Sequence, residues 1–208
     1  MRALVPALAA GIIACCVAGC GRSRPAETPP VISPDLLARS VVPSPEAAAC
    51  AACHPKEVDE WRSSQHAHAN RLVQADLDGP AFVGGPVVNH GGAVTRMAQK
   101  DGRFLFTYAY SNEPARTFEA ESVIAISPLR QYLVRFPGGR LQVMDTAYDP
   151  RSNEWFNAFG DDRFPGEWGH WTGRAMTWNV QCAFCHMTGF EKRYDPAKDV
   201  YNSTWKSM

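Results

Sequence analysis

Two five-residue runs, Cys50-Ala51-Ala52-Cys53-His54 and Cys182-Ala183-Phe184-Cys185-His186, repeat one arrangement: a pair of thiols with two residues between them and an imidazole directly after the second. This is the spacing of a c-type haem attachment site. Two thiols so placed can form thioethers with the two vinyl groups along one porphyrin edge, and the next residue sets an imidazole under the iron as its proximal ligand. The pair of runs implies two covalently bound haem c groups, one held by Cys50, Cys53 and His54, the other by Cys182, Cys185 and His186. A zinc site built from both cysteine pairs is the competing metal reading, but it gives no reason for a histidine after each pair. Redox-active thiols or plain disulfides are the remaining alternative.

The chain holds seven cysteines and six histidines. Cys15, Cys16 and Cys20 fall in the N-terminal segment, so none is left for a structural disulfide, as suits an exported haem protein. Beyond the two motif histidines stand His66, His68, His90 and His170. Two irons call for two more axial ligands if both are bis-histidine, and His66, His68 and His170 are the candidates carried forward. Met97, Met144, Met176 and Met187 compete, although a methionine more often packs.

Residues 1–19 read as a signal peptide: Arg2 is its only charge and an apolar stretch from Ala3 to Val17 follows, too short and alanine-rich for a membrane span. Val17-Ala18-Gly19-Cys20 resembles a lipobox, which makes Cys20 the lipidated first residue of the mature chain and places the protein outside the cytoplasm, periplasmic or extracytoplasmic, anchored to a bacterial membrane. Residues 20–45 are polar and proline-rich, a disordered tether. With 21 basic and 21 acidic side chains, nothing points to nucleic acid; redox proteins are the expected partners.

The motifs need elements to position them. Residues 46–76 are predicted helical, with Pro55 suited to a first turn. Residues 77–100, rich in glycine, are predicted loop. A small antiparallel β insertion is expected at about 101–147: a strand at 103–110, another at 122–126, and a hairpin in which Gln131–Phe136 and Arg140–Asp145 flank Pro137-Gly138-Gly139. Residues 148–170 are predicted loop, and 172–186 helix into the second motif. The expected fold is therefore α+β with little regular structure, a haem-packed dihaem domain over 46–208 with helical haem-binding segments. Porphyrins would supply much of the core, and the haem-free chain would fold poorly. A straight helix over 55–68 would separate His54 from His66 by about 18 Å along the axis. That is too far for two ligands of one iron, so His66 or His68 is expected to cap an iron other than that of His54, and His170 one other than that of His186.

The first motif with Trp61 and Ser64-Gln65-His66-Ala67-His68-Ala69 resembles the start of the cytochrome c-554/c-prime family. Ser127-Pro128-Leu129-Arg130-Gln131-Tyr132-Leu133, Gly139-Arg140-Leu141-Gln142-Val143, His170-Trp171-Thr172-Gly173 and Trp178-Asn179 resemble a multihaem subgroup that often carries tetratricopeptide repeats. The resemblance covers roughly residues 48–205. It implies that His66, with His68 as neighbour, and His170 are distal ligands. It also implies a third motif beyond Ser203-Thr204-Trp205, so that the sequence is a truncated form or fragment. An electron carrier is the leading expectation, since filled axial sites leave no place for substrate. The alternative is a haem-containing oxidoreductase, or a subunit of one, acting on small nitrogen or sulfur compounds at an open iron, with Arg174, Arg130 or Tyr132 in the pocket. A third reading is a module of a larger assembly, with Trp155, Trp168, Trp171 and Trp178 at an interface or lining haems.

Overall fold

A computed structural model describes residues 45–111, 113–124 and 129–206. The expected signal peptide, Cys20 and all but the end of the expected tether lie outside the described residues.

The helical part is short. Helix α1 spans Pro45–Cys50 and α2 Pro55–Arg62. Pro55 opens α2, where its fixed φ fits and its missing N–H costs nothing. The helix stops because two serines follow: the Ser63 hydroxyl donates to the Glu60 carbonyl at 2.9 Å and that of Ser64 to Trp61 at 2.6 Å, competing with the backbone ladder. Turns carry the chain to β1 (Asn70–Leu72) and α3 (Ala75–Phe82). The premise of one straight helix over 55–68 therefore fails.

Seven further strands follow as an antiparallel meander: β2 (Val87–His90), β3 (Ala93–Lys100), β4 (Arg103–Tyr110), β5 (Arg116–Ile124), β6 (Arg130–Phe136), β7 (Arg140–Asp149) and β8 (Glu154–Asn157). Each pairs with the next, and β1 adds to β5. The first and last strands of this path lie against each other, so the sheet curls nearly into a barrel. Register shifts in β5 at Ala120/Ser122 and in β6 at Gln131/Leu133 supply the local twist that such curling needs. Asp101-Gly102, both at positive φ, make the tight β3–β4 turn.

Strand alternation aims Phe104, Phe106 and Tyr108 of β4, Phe118 of β5 and Tyr132, Val134 and Phe136 of β6 into one core with Phe82, Met97, Met144 and Trp171. Phe82 meets its neighbours edge to face, as against Phe104 (5.0 Å between centroids) and Tyr132 (5.4 Å), while Phe118 and Phe136 stack. A second cluster lies on the other face of β6 and β7, where Leu133, Leu141 and Val143 pack on Trp178, Ala183 and Met187. Burial on both faces explains why Leu141 to Tyr148 are all buried.

The expected fold class is thereby corrected: the protein is mostly β. The sheet extends well beyond 101–147 on both sides, because the glycine pairs at 84–85 and 91–92 serve turns flanking β2 rather than a long loop. Residues 172–186 hold a 3-10 turn (Arg174–Met176) and two four-residue helices, α4 (Trp178–Gln181) and α5 (Ala183–His186), not one long helix. The core is filled by the chain's own aromatic side chains, not by porphyrin.

Candidate haem attachment sites

Both motifs adopt the same hydrogen-bonded turn. In the first, the Cys50 carbonyl accepts from the Cys53 N–H at 3.2 Å and the His54 N–H at 2.8 Å. In the second, the Cys182 carbonyl accepts from Cys185 and His186, each at 3.1 Å. Residues three and four apart on such a turn share a face, so each motif presents two thiols and an imidazole together. All four thiols are free.

The surroundings of the two turns differ. The first caps α2: the His54 carbonyl accepts the Val58 N–H at 3.1 Å, and the ring stands in solvent 3.9 Å from Glu57. The second is seated on the sheet. Trp178 and Ala183 are fully buried. Asn179 ties the segment down by accepting the Leu141 N–H at 2.8 Å and donating to the Ser203 hydroxyl at 3.0 Å. Burial pushes the Cys182 thiol up, keeping it protonated. Phe184, between the cysteines, is 61% exposed.

His186 makes the most telling contact. Its Nδ1 lies 2.8 Å from the Ala69 carbonyl oxygen. A carbonyl only accepts, so Nδ1 carries the proton and Nε2 keeps its lone pair for a metal. The donor set thus fits a haem iron: thiols on one turn and an imidazole fixed in the metal-binding tautomer. The zinc alternative does not fit, since among the described residues the two cysteine pairs do not come together as a group that could hold an ion.

The other histidines fall in two places. His66 is exposed on a turn, its carbonyl accepting from the Ala69 N–H at 3.2 Å. His68 is buried beside the Arg62 backbone and Arg71, and burial lowers its pKa. This segment is clamped by a buried ion pair: Arg71 donates to both oxygens of Asp78, at 2.7 and 2.8 Å. Asp78 also accepts from the Tyr132 hydroxyl at 3.1 Å and the Gln74 N–H at 2.8 Å.

His170 lies elsewhere, in a cavity of about 20 Å³ shared with His90, Tyr108 and Asp145. Its Nδ1 is 2.8 Å from the Thr172 hydroxyl and its Nε2 3.4 Å from that of Tyr108. His90 stands 3.5 Å from Asp145. Burial pushes the Asp145 carboxyl up to about 7 and the Tyr108 phenol up to about 12, and lowers both imidazoles. Sequence reasoning missed Asp145 and Tyr108; a lone acid in a run of buried strand residues was the available signal. Of the methionines, Met97 and Met144 fill the core, and Met187 packs beneath the second motif. Arg174 pairs with Asp199 at the surface, and Arg130 and Tyr132 belong to the Asp78 network.

No curated protein and no solved structure matches the chain. Residues 49–78, which hold the first motif, Trp61 and the His66–His68 turn, match the family described as cytochrome c554 and c-prime, and this match of a short segment points to a c-type cytochrome.

Proposed function

We propose that the chain is an exported dihaem c-type cytochrome that passes electrons between redox proteins. Cys50 and Cys53 hold one haem with His54 as axial ligand; Cys182 and Cys185 hold the other with His186. The observation that carries this reading is the recurrence of one hydrogen-bonded turn in two sequence-distant motifs. Each haem supplies a one-electron Fe(III)/Fe(II) couple. The chain's own part is to fix the His186 imidazole through the Ala69 carbonyl, to keep the second attachment turn seated on the sheet through Trp178 and Asn179, and to set the first turn as the cap of α2. Little reorganisation then accompanies a change of charge. The apolar leader and Val17-Ala18-Gly19-Cys20 support export and a lipid anchor on Cys20, hence an extracytoplasmic, membrane-tethered location.

Potentiometric titration of the purified holoprotein, followed by electron paramagnetic resonance, tests the carrier role. The expected result is two reversible one-electron steps and low-spin ferric signals that cyanide and nitrite leave unchanged. A high-spin iron that binds nitrite and turns it over would replace the carrier with an oxidoreductase.

A further inference from the structure

The bond between His186 and Ala69 decides more than a tautomer. Resting on the dihaem reading above, iron held by His186 sits on Nε2, on the side of the ring away from Nδ1. The Ala69 carbonyl, 2.8 Å beyond Nδ1, then lies on the His186 side of the porphyrin plane. His68 is one residue away, about 3.8 Å between α-carbons. His66 is one turn away, closed by the Ala69 N–H to His66 carbonyl bond at 3.2 Å, a span under about 7 Å. Neither stretch can pass round the porphyrin edge and return to the iron from the opposite face. The segment is not free to swing: β1, which begins at Asn70, is paired to β5, and Arg71 is locked to Asp78 inside the protein.

We propose that Ala69 is a positioning residue for the second haem, and that by occupying its proximal side the His66–His68 turn is barred from supplying the sixth ligand of the iron bound to His186. The expectation drawn from a straight helix, which sends His66 or His68 to an iron other than that of His54, does not survive with these two irons. The second iron then takes its sixth ligand from a residue outside this turn.

The test uses the full chain with Cys50→Ala and Cys53→Ala, which leaves covalent haem only at Cys182 and Cys185. Absence of haem from this variant would overturn the dihaem reading and the proposal with it. In the loaded variant, the Nδ1 proton of His186 is expected as a slowly exchanging resonance in nuclear magnetic resonance spectra; immediate exchange would mean the Ala69 bond is absent and would overturn the proposal. Adding His66→Ala, or separately His68→Gln, which keeps a buried side chain of similar size, is expected to leave the ferric g-values and the reduction potential unchanged. Conversion from low to high spin in either, with the far-ultraviolet circular dichroism of the sheet intact, would show that histidine on the second iron and overturn it. If His68→Gln alters the sheet, the exposed His66→Ala variant and the His186 proton decide alone.

Discussion

Replacing Asp78 by alanine tests what holds the turn beside the second motif. Asp78 is completely buried, and Arg71, which it pairs twice, is 2% exposed. Its loss strands a guanidinium in a dry interior, and removing one partner of such a pair costs about 3–5 kcal/mol. The Tyr132 hydroxyl and the Gln74 N–H lose an acceptor as well; a buried donor left unsatisfied costs about 1–3 kcal/mol, and these losses overlap with the first. A net loss of about 4 kcal/mol is the working figure. At about 2–4 °C per kcal/mol for a chain of this length, Tm should fall by about 8–16 °C. Calorimetry of the haem-loaded Asp78→Ala variant, with a urea titration alongside, measures it. Arg71→Met/Asp78→Leu should recover only part of the loss: apolar groups of similar volume often replace a buried pair at no cost, but buried Arg130 and Tyr132 still lose the same carboxylate. A loss below about 1 kcal/mol for Asp78→Ala would mean the pair is solvated, and the account of a fixed turn would fall.

Other perturbations follow from the same structure. The Cys50, Cys53, Cys182 and Cys185 quadruple alanine variant, which cannot attach haem, should still unfold in one cooperative transition, since the aromatic core is made of side chains; a gradual, non-cooperative melt would contradict this. Asp145, held up to about 7 by burial, stays protonated in the fold while it ionises in the unfolded chain, so its effect is absent below about pH 4 and costs stability as pH rises towards 7, by about 1.4 kcal/mol per unit within that window. Asp145→Asn should therefore gain on the parent between pH 4 and pH 7 in urea titrations, and a gap that does not grow would refute the burial argument. Gly139→Ala puts a side chain on a residue at positive φ and against the Tyr201 carbonyl, so it should cost more than about 1 kcal/mol and expose to limited proteolysis the short hairpin in which Tyr194–Asp195 pairs with Val200–Tyr201; a neutral result would mean this hairpin does not touch the β6–β7 turn.

What could be read from the sequence was what covalent chemistry or a short period dictates. The two motifs stand out because thioether attachment fixes their spacing. The β6–β7 hairpin shows in Gln131–Phe136, Pro137-Gly138-Gly139 and Arg140–Asp145, where alternation and turn residues agree. The strands β2 and β3 did not show, because Gly84-Gly85 and Gly91-Gly92 look like loop until their positive φ angles are known to serve turns. The sequence pattern overextends the helix over 46–76, since Ser63 and Ser64 end α2 by side-chain bonds that composition does not announce. The cavity of His90, Tyr108, Asp145 and His170 was out of reach because it is assembled by the register of β2, β4 and β7 and a distant loop. The Ala69–His186 bond likewise joins backbone to a ring far along the chain, and no local pattern carries it.

The dihaem assignment rests on two turns that each present paired thiols and a ring. Its most direct test is the intact mass of the exported holoprotein beside its Cys50→Ala/Cys53→Ala and Cys182→Ala/Cys185→Ala variants, under denaturing conditions that remove any haem not covalently bound. The account predicts two haems on the parent and one on each variant. A parent carrying a single haem, or a variant pair in which one deletion changes nothing, would contradict it.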